Sequence, residues 1–397
     1  MALSRRALGG VLLAGMIHVC HADEWDVVNF HARAAYQYDN NIFRLRDNEP
    51  AQDGHSDHIA TLGAGLTVDK PFGQQRFRLN GLATRHKYNK HDFLDHTTKD
   101  YLAAWDWSLT PRVTGVIAAQ QEESLTSAAA FRNQEDRNIR TLRDRRFQVD
   151  WWVHSNWHLL AEAGQDETHY ETEEGLEDDR GYDRTRWGAG LRFDAGNERT
   201  LTAMLFKRDA DYDESRLDED NFRDNTFEED EFQLELHYPF GGNSRVNARL
   251  SYLDRSYPHV GERDFSGWTG NVRFTWGLTE KLLLLLGYRH DLGAWQDEEA
   301  SYADMDIIAV GATWHYSQKQ RLELRGERKD RDHRGRLPGI TAAQREDRTH
   351  SAIATWIWVP NLTTELSAGL FFERRDSNRD EFNYDAHGFQ LSVHQMF

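Results

Sequence analysis

The chain has 397 residues, 39% hydrophobic and 29% charged, with a single cysteine and a mean hydropathy of -0.80. No apolar run reaches about 18 residues beyond the extreme N-terminus, which excludes a bundle of transmembrane helices; one cysteine excludes a disulfide framework or a Cys-rich zinc module. Lys+Arg 48 against Asp+Glu 66 gives a net charge of -18, which argues against a nucleic-acid partner for want of a basic face.

Residues 1–22 read as a secretory signal peptide. Arg5 and Arg6 form a positive start, Ala7 to Val19 a short apolar stretch, and Cys20-His21-Ala22 a cleavage end with a small last residue. Cleavage there removes the one cysteine and leaves 23–397 as a single domain.

From that point the pattern has period two. In Arg245 to Tyr252, Val246, Ala248, Leu250 and Tyr252 share one face while Arg245, Asn247, Arg249 and Ser251 share the other. Phe232–Tyr238, Gly270–Trp276 and Arg321–Gly326 alternate in the same way, as strands do whose two faces meet different surroundings. Turn chemistry recurs at Lys70–Gly73, Thr110–Arg112, His154–Asn156, Ala195–Asn197, Gly241–Asn243, Leu278–Glu280, Ser317–Lys319 and Pro360-Asn361. Longer polar stretches lie between, near 40–57, 89–99, 124–140, 171–181, 213–226, 292–303, 331–347 and 376–383.

Two long strands, one short turn and one long loop per repeat do not suit a soluble propeller, which packs four short strands into each blade. They predict an all-β fold, a transmembrane antiparallel up-and-down barrel. It should have about 18 strands of about 10–13 residues, short periplasmic turns and long extracellular loops.

Aromatic placement points the same way. Trp107, Trp151, Trp152, Trp157, Trp276, Trp356 and Trp358 lie near the short turns. Tyr36, Tyr38, Tyr88, Tyr170, Tyr182, Tyr212, Tyr252 and Tyr288 lie near the long loops. Two interfacial girdles are expected to segregate in this way. At the chain end Phe389, Leu391, Val393 and Phe397 alternate up to the terminal carboxylate. This resembles the C-terminal signal of outer-membrane barrels, so the expected location is the outer membrane of a Gram-negative bacterium.

Tyr38, Asp39, Asn40, Asn41, Ile42, Phe43, Arg44 and Leu45 resemble the segment after the first strand of EpsL-like outer-membrane proteins, which are associated with exopolysaccharide biosynthesis and export. The resemblance implies a barrel serving polysaccharide transport. Its partners would be outer-membrane lipid and lipopolysaccharide, the polysaccharide, and periplasmic components of a secretion system. Read from the residues alone, Asp39, Asn40 and Asn41 form a strand-terminating turn, since Asx side chains bond nearby backbone; Phe43 and Arg44 could fold inward into a constriction.

If the apolar set faces lipid, Arg33, Arg78, Arg186, Arg192, Arg208, Arg245, Arg249, Arg273, Arg289, Arg321 and Arg325 line the pore, with Asp106, Asp150, Glu162, Glu235, Glu323 and Glu365 beside them. An Arg or Lys on the lipid face at mid-bilayer costs about 2–4 kcal/mol, which supports that placement. Cross-strand pairing would fill a polar interior. Rings of Arg would instead select anions, and planar guanidinium groups suit the carboxylates of uronic acids. The leading expectation is export of an anionic polysaccharide. The alternatives are a general or sugar-selective uptake porin and a non-conducting partner of the export machinery. No elbow, zinc or phosphate-loop motif points to an enzyme, and no metal or other cofactor is expected. Asp209, Asp211 and Asp213 begin like an EF-hand loop, but Glu214 stands where that loop needs Gly.

Overall fold

A computed structural model describes residues 27–46, 49–51, 53–126, 137–172, 181–212, 217–294, 300–339 and 343–397; the signal-peptide segment 1–22 lies outside them. The described chain forms one antiparallel sheet of 18 strands. Short turns join β2 (Asp57–Phe72) to β3 (Gln75–Tyr88), β4 (His96–Thr110) to β5 (Val113–Leu125), β6 (Asn138–His154) to β7 (Trp157–Thr172), and β8 (Tyr182–Asp194) to β9 (Thr200–Tyr212). The series continues with β10 (Thr226–Phe240) and β11 (Ser244–Ser256), then β12 (Phe265–Gly277) and β13 (Leu282–Ala294). It ends with β14 (Ala300–Trp314) and β15 (Gln320–Arg336), then β16 (Glu346–Asn361) and β17 (Thr364–Ser377). The outermost strands, β1 (Val28–Asp39) and β18 (Tyr384–Met396), pair with Arg33 opposite His394 and close the cylinder. Closure leaves no unpaired sheet edge, the condition for a β-structure to cross a bilayer.

Period two sets the two faces. Along β8, Trp187 and Leu191 are exposed while Arg186 is buried, and along β9 Leu201 and Leu205 are exposed while Met204, Phe206 and Arg208 are buried. Phe389, Leu391 and Val393 of the terminal strand fall on the outer face. The strands run from 12 to 17 residues, longer than expected, because they continue past the apolar band toward the long loops. On β9 the outer face changes from Leu201 and Leu205 to Lys207, Asp209 and Asp211 with no break in pairing. Short turns keep their expected chemistry: Gly73 and Gly196 take positive φ (60° and 81°), a conformation a Cβ would disfavour.

The aromatic girdle is thinner than expected on the loop side. Tyr36, Tyr252 and Tyr288 are exposed on the outer face, whereas Tyr88 and Tyr212 are buried on the inner one. Tyr212 packs with Ala210, Phe227, Leu253, Tyr257 and Phe265, and Tyr182 lies against this group. Trp151 points outward; Trp152 shares the inner face with His158, at 6.4 Å between ring centroids.

A further long loop, 257–264, joins β11 to β12 and is not among the expected stretches. It shares a plan with loop 89–95. Each contains a 3₁₀ turn, and an Asp carboxylate seven residues on accepts the backbone N–H of the last strand residue or its neighbour: Asp95 from Tyr88 and Asp264 from Tyr257, both at 2.7 Å. An Asp from the preceding hairpin then anchors each loop from outside. Asp57 accepts the N–H groups of Asn89, Lys90 and His91, with His91 Nδ1 at 2.9 Å. Asp224 accepts those of His259 (2.7 Å) and Val260 (2.9 Å), with His259 Nδ1 at 3.0 Å. Burial works to raise the Asp224 carboxyl, but the His259 side chain and these backbone donors outweigh it and hold the pKa below its ordinary value.

Candidate functional site: the arginine-bearing inner face

All eleven expected pore-lining arginines occupy inward register positions, opposite the face that carries the exposed Leu, Phe and Trp side chains. Their surroundings divide them. On the wall built by β6, β7 and β8, Arg186 is matched by Asp166 (2.8 Å), Glu162 (2.7 Å) and Asp144 (3.2 Å). Gly164 makes this possible, because a Cβ there would sit 2.8 Å from the Arg186 guanidinium. Arg192 pairs with Asp150, which also holds His158 Nδ1 at 2.6 Å. Arg208 is buried between Glu229 (2.6 Å) and Glu231.

Pairing recurs on the opposite side. Arg78 meets Asp106 at 2.7 Å, Arg321 meets Glu323 (2.8 Å) and Glu365 (3.3 Å), and Arg325 meets Glu327 at 3.0 Å. Arg33 donates to the Thr84 hydroxyl at 2.8 Å. Cross-strand pairing, one of the two expectations for the inward charges, thus leaves much of the wall locally neutral.

Among the described residues Arg33 on β1 and Lys329 on β15 stand singly without a carboxylate at ion-pair distance, and one wall gathers three such groups. Arg249 on β11 faces Asn271 on β12, which faces Arg289 on β13; Asn247 faces Arg273, and Arg245 lies nearer the short turns. Among the described residues, Arg245, Arg249 and Arg273 have no carboxylate within ion-pair distance. The inner faces of β11, β12 and β13 carry one acid, Asp291, at the loop end. Glu235 on β10 faces Arg249 in register and accepts from the Gln233 amide at 3.0 Å.

Several inward basic residues were outside the expected set. Arg184 pairs with Asp166 (3.0 Å), Arg255 with Glu229, Arg345 with Asp347 (2.6 Å), and Arg146 lies 4.0 Å from Asp144. Their signal was the same parity: Arg184 precedes Arg186 by two, and Arg255 continues the 245, 249 series. Of these, Arg345 alone fell in a stretch expected to be loop, 331–347. Arg255 also lies 4.1 Å over the Phe227 ring, which binds the aromatic cluster to the charge network.

The Tyr38–Leu45 segment is a lock across the closing seam. Asn41, almost fully buried, donates to Leu45 O (2.7 Å) and Asp385 O (2.9 Å), and its Oδ1 accepts the Leu45 N–H. Asn40 N donates to His387 O at 3.1 Å. Arg44 is held by Asp39 (2.9 Å) and Glu373 (3.4 Å), and Phe43 packs with Tyr88 and Leu94, edge-on to His91. The turn reading accounts for Asp39, Asn40 and Asn41. Phe43 and Arg44 fold against inner-face residues, Phe43 onto Tyr88 and Arg44 onto Asp39 and Glu373. Asp209 and Asp211 lie exposed on the outer face, while Asp213 and Glu214 lie outside the described residues. Among the described residues one group could chelate an ion, His290, Asp304 and Asp306, and its register places it on the outer face.

No family model matches the chain, and no curated protein matches it. The resemblance to EpsL-like proteins rests on residues 38–45 and the general layout. Solved structures do match. OccK2 (OpdF) of Pseudomonas aeruginosa is 13% identical with a TM-score of 0.52, over 93% of this chain and 97% of that one. The same protein in complex with glucuronate is 14% identical, with a TM-score of 0.51 and 93% and 98% covered. A BenF-like porin from Pseudomonas fluorescens Pf-5 is 12% identical, at 0.50 and the same coverage. At these identities what is shared is the fold, in this chain a closed antiparallel 18-stranded transmembrane barrel with short turns at one rim and long loops at the other.

Proposed function

We propose that the chain is an outer-membrane channel of a Gram-negative bacterium, exported by its signal peptide, that passes small organic anions along the β11–β13 wall. The observation that carries this reading is the set of guanidinium groups without carboxylates, Arg245, Arg249 and Arg273, on a wall whose other polar side chains include Asn247 and Asn271. A paired arginine fills a polar interior; an unpaired one facing a lumen offers a planar donor fork to a passing carboxylate. Uronates are the favoured class, since an ionised carboxylate would use the Arg groups while hydroxyls use the Asn amides; the neighbouring porin bound to glucuronate supports that choice.

Export of an anionic polysaccharide is the second reading, favoured by the Tyr38–Leu45 resemblance and served by the same wall. Planar-bilayer recording across a salt gradient tests the first. An open, anion-preferring pore whose preference falls in R245Q/R249Q/R273Q is expected, and a silent protein would instead leave the non-conducting partner. Polysaccharide measured in the periplasm and medium of a deletion strain separates the two directions. Periplasmic trapping would mean export, and unchanged polymer would leave uptake.

A further inference from the structure

The outer face of a barrel is convex, so a groove on it requires side chains of unequal size. One such groove, of about 710 Å³, crosses β12 to β17. Trp276 and Phe372 stand at its two sides; Leu286, Val310 and Leu324 also line it, and Ala312, Gly326, Ala352 and Ala354 are its small residues. Gly326, Ala352 and Phe372 are successive partners in one cross-strand row.

The next outward row toward the long loops is basic: Arg328 faces His350, which faces Arg374. Both guanidinium groups are about half exposed. They are braced mainly from the loop side, Arg328 by Asp330 (2.8 Å) and Arg374 by Asp376 (3.1 Å), with Asp385 3.8 Å from Arg374 Nε. Asp330 is shared with Arg348 at 2.7 Å. Among the described residues His350 makes no side-chain hydrogen bond, and Arg374 Nη1 and Nη2 donate to none. Unspent donors thus border the apolar groove where the outer face turns from apolar to charged.

We propose that this groove binds a phosphorylated, multi-acyl glycolipid of the outer leaflet, lipopolysaccharide in an outer membrane. An acyl chain lies over Gly326 and Ala352, and a phosphate meets Arg328, His350 and Arg374. Small residues allow close approach of the chain to the backbone, and arginine presents a fork matched to phosphate oxygens. Free donors on His350 and on Arg374 Nη1 and Nη2, directly above an apolar trough, complement a ligand with an anionic head and hydrocarbon tail. The inference does not depend on what crosses the lumen.

The test is lipopolysaccharide retained by the full chain purified from outer membranes in mild detergent, and its rebinding from lipopolysaccharide micelles against phosphatidylglycerol micelles. Wild type and Leu205→Trp, altered on the outer face of β9 away from the groove, should retain it. Ala352→Trp and R328Q/R374Q should each lose about tenfold while keeping the heat-dependent gel shift of a folded barrel. Should Ala352→Trp not give the folded band, Ala352→Leu fills the same trough with less bulk. Equal retention by the groove variants overturns the proposal, as does equal binding of phosphatidylglycerol. So does a wild-type oligomer that Ala352→Trp splits with lipid retention unchanged, since the groove would then be covered by a second copy.

Discussion

Inward arginines on this barrel stand in two different surroundings, paired and without a carboxylate, and single substitutions should separate them. Arg186 stands among Asp144, Glu162 and Asp166, so Arg186→Ala leaves three carboxylates facing one another with only Arg184 on Asp166 and Arg146 beside Asp144. Breaking a buried charge network in this way costs about 3–5 kcal/mol, to be read from urea unfolding in lipid vesicles. Arg273 has no such partners; Arg273→Gln should leave unfolding almost unchanged, within about 0.5 kcal/mol, while lowering anion preference. An Arg273 variant as unstable as the Arg186 one would make Arg273 structural. Parity alone revealed that both side chains point inward. It could not reveal which is paired, because the partners lie 20 to 42 positions away in sequence and meet only through the register of three strands.

At the scale of the strand and loop, the apolar band and the loop anchors can be probed separately. Leu205 is exposed on the outer face of β9, and Leu205→Arg near mid-bilayer should cost about 2–4 kcal/mol in the same unfolding measurement. Loss below 1 kcal/mol would place that stretch of β9 outside the hydrocarbon. Asp224 anchors loop 257–264 through its carboxylate. Its pKa is lowered in the folded state, so its contribution is complete above the unfolded value of about 4 and is lost as pH falls through the folded value. Hydrogen exchange at the His259 and Val260 amides should therefore be slow at neutral pH and accelerate only in acid, and Asp224→Asn should speed it already at neutral pH. Exchange in the variant as slow as in the wild type would mean the loop is held by its own turn. The alternation of Arg245–Tyr252 and the Gly-rich turn at 241–243 made strands and short turns legible. Loop 257–264 was not, being brief and free of the long polar runs seen elsewhere. The Asp224–His259 anchor spans 35 positions and has no local signature.

For the whole molecule, closure was readable from an even count of alternating runs and an alternating last strand. The seam itself was not: Asn41 reaching Asp385 across 344 positions follows only from β1 pairing with β18. A segment that resembles a family motif thus serves first to hold the cylinder shut. The proposed anion path follows from an uneven distribution of charge around the inner wall: Arg186, Arg192 and Arg208 are paired, whereas among the described residues Arg245, Arg249 and Arg273 on β11 and β12 have no carboxylate within ion-pair distance. The most direct test of that claim is the reversal potential of the reconstituted full chain across a tenfold salt gradient, for wild type and R245Q/R249Q/R273Q. An anion-selective wild type whose preference falls about threefold or more in the folded triple variant is expected. A wild-type pore that prefers cations, or a triple variant with unchanged selectivity, would contradict an arginine wall as the anion path.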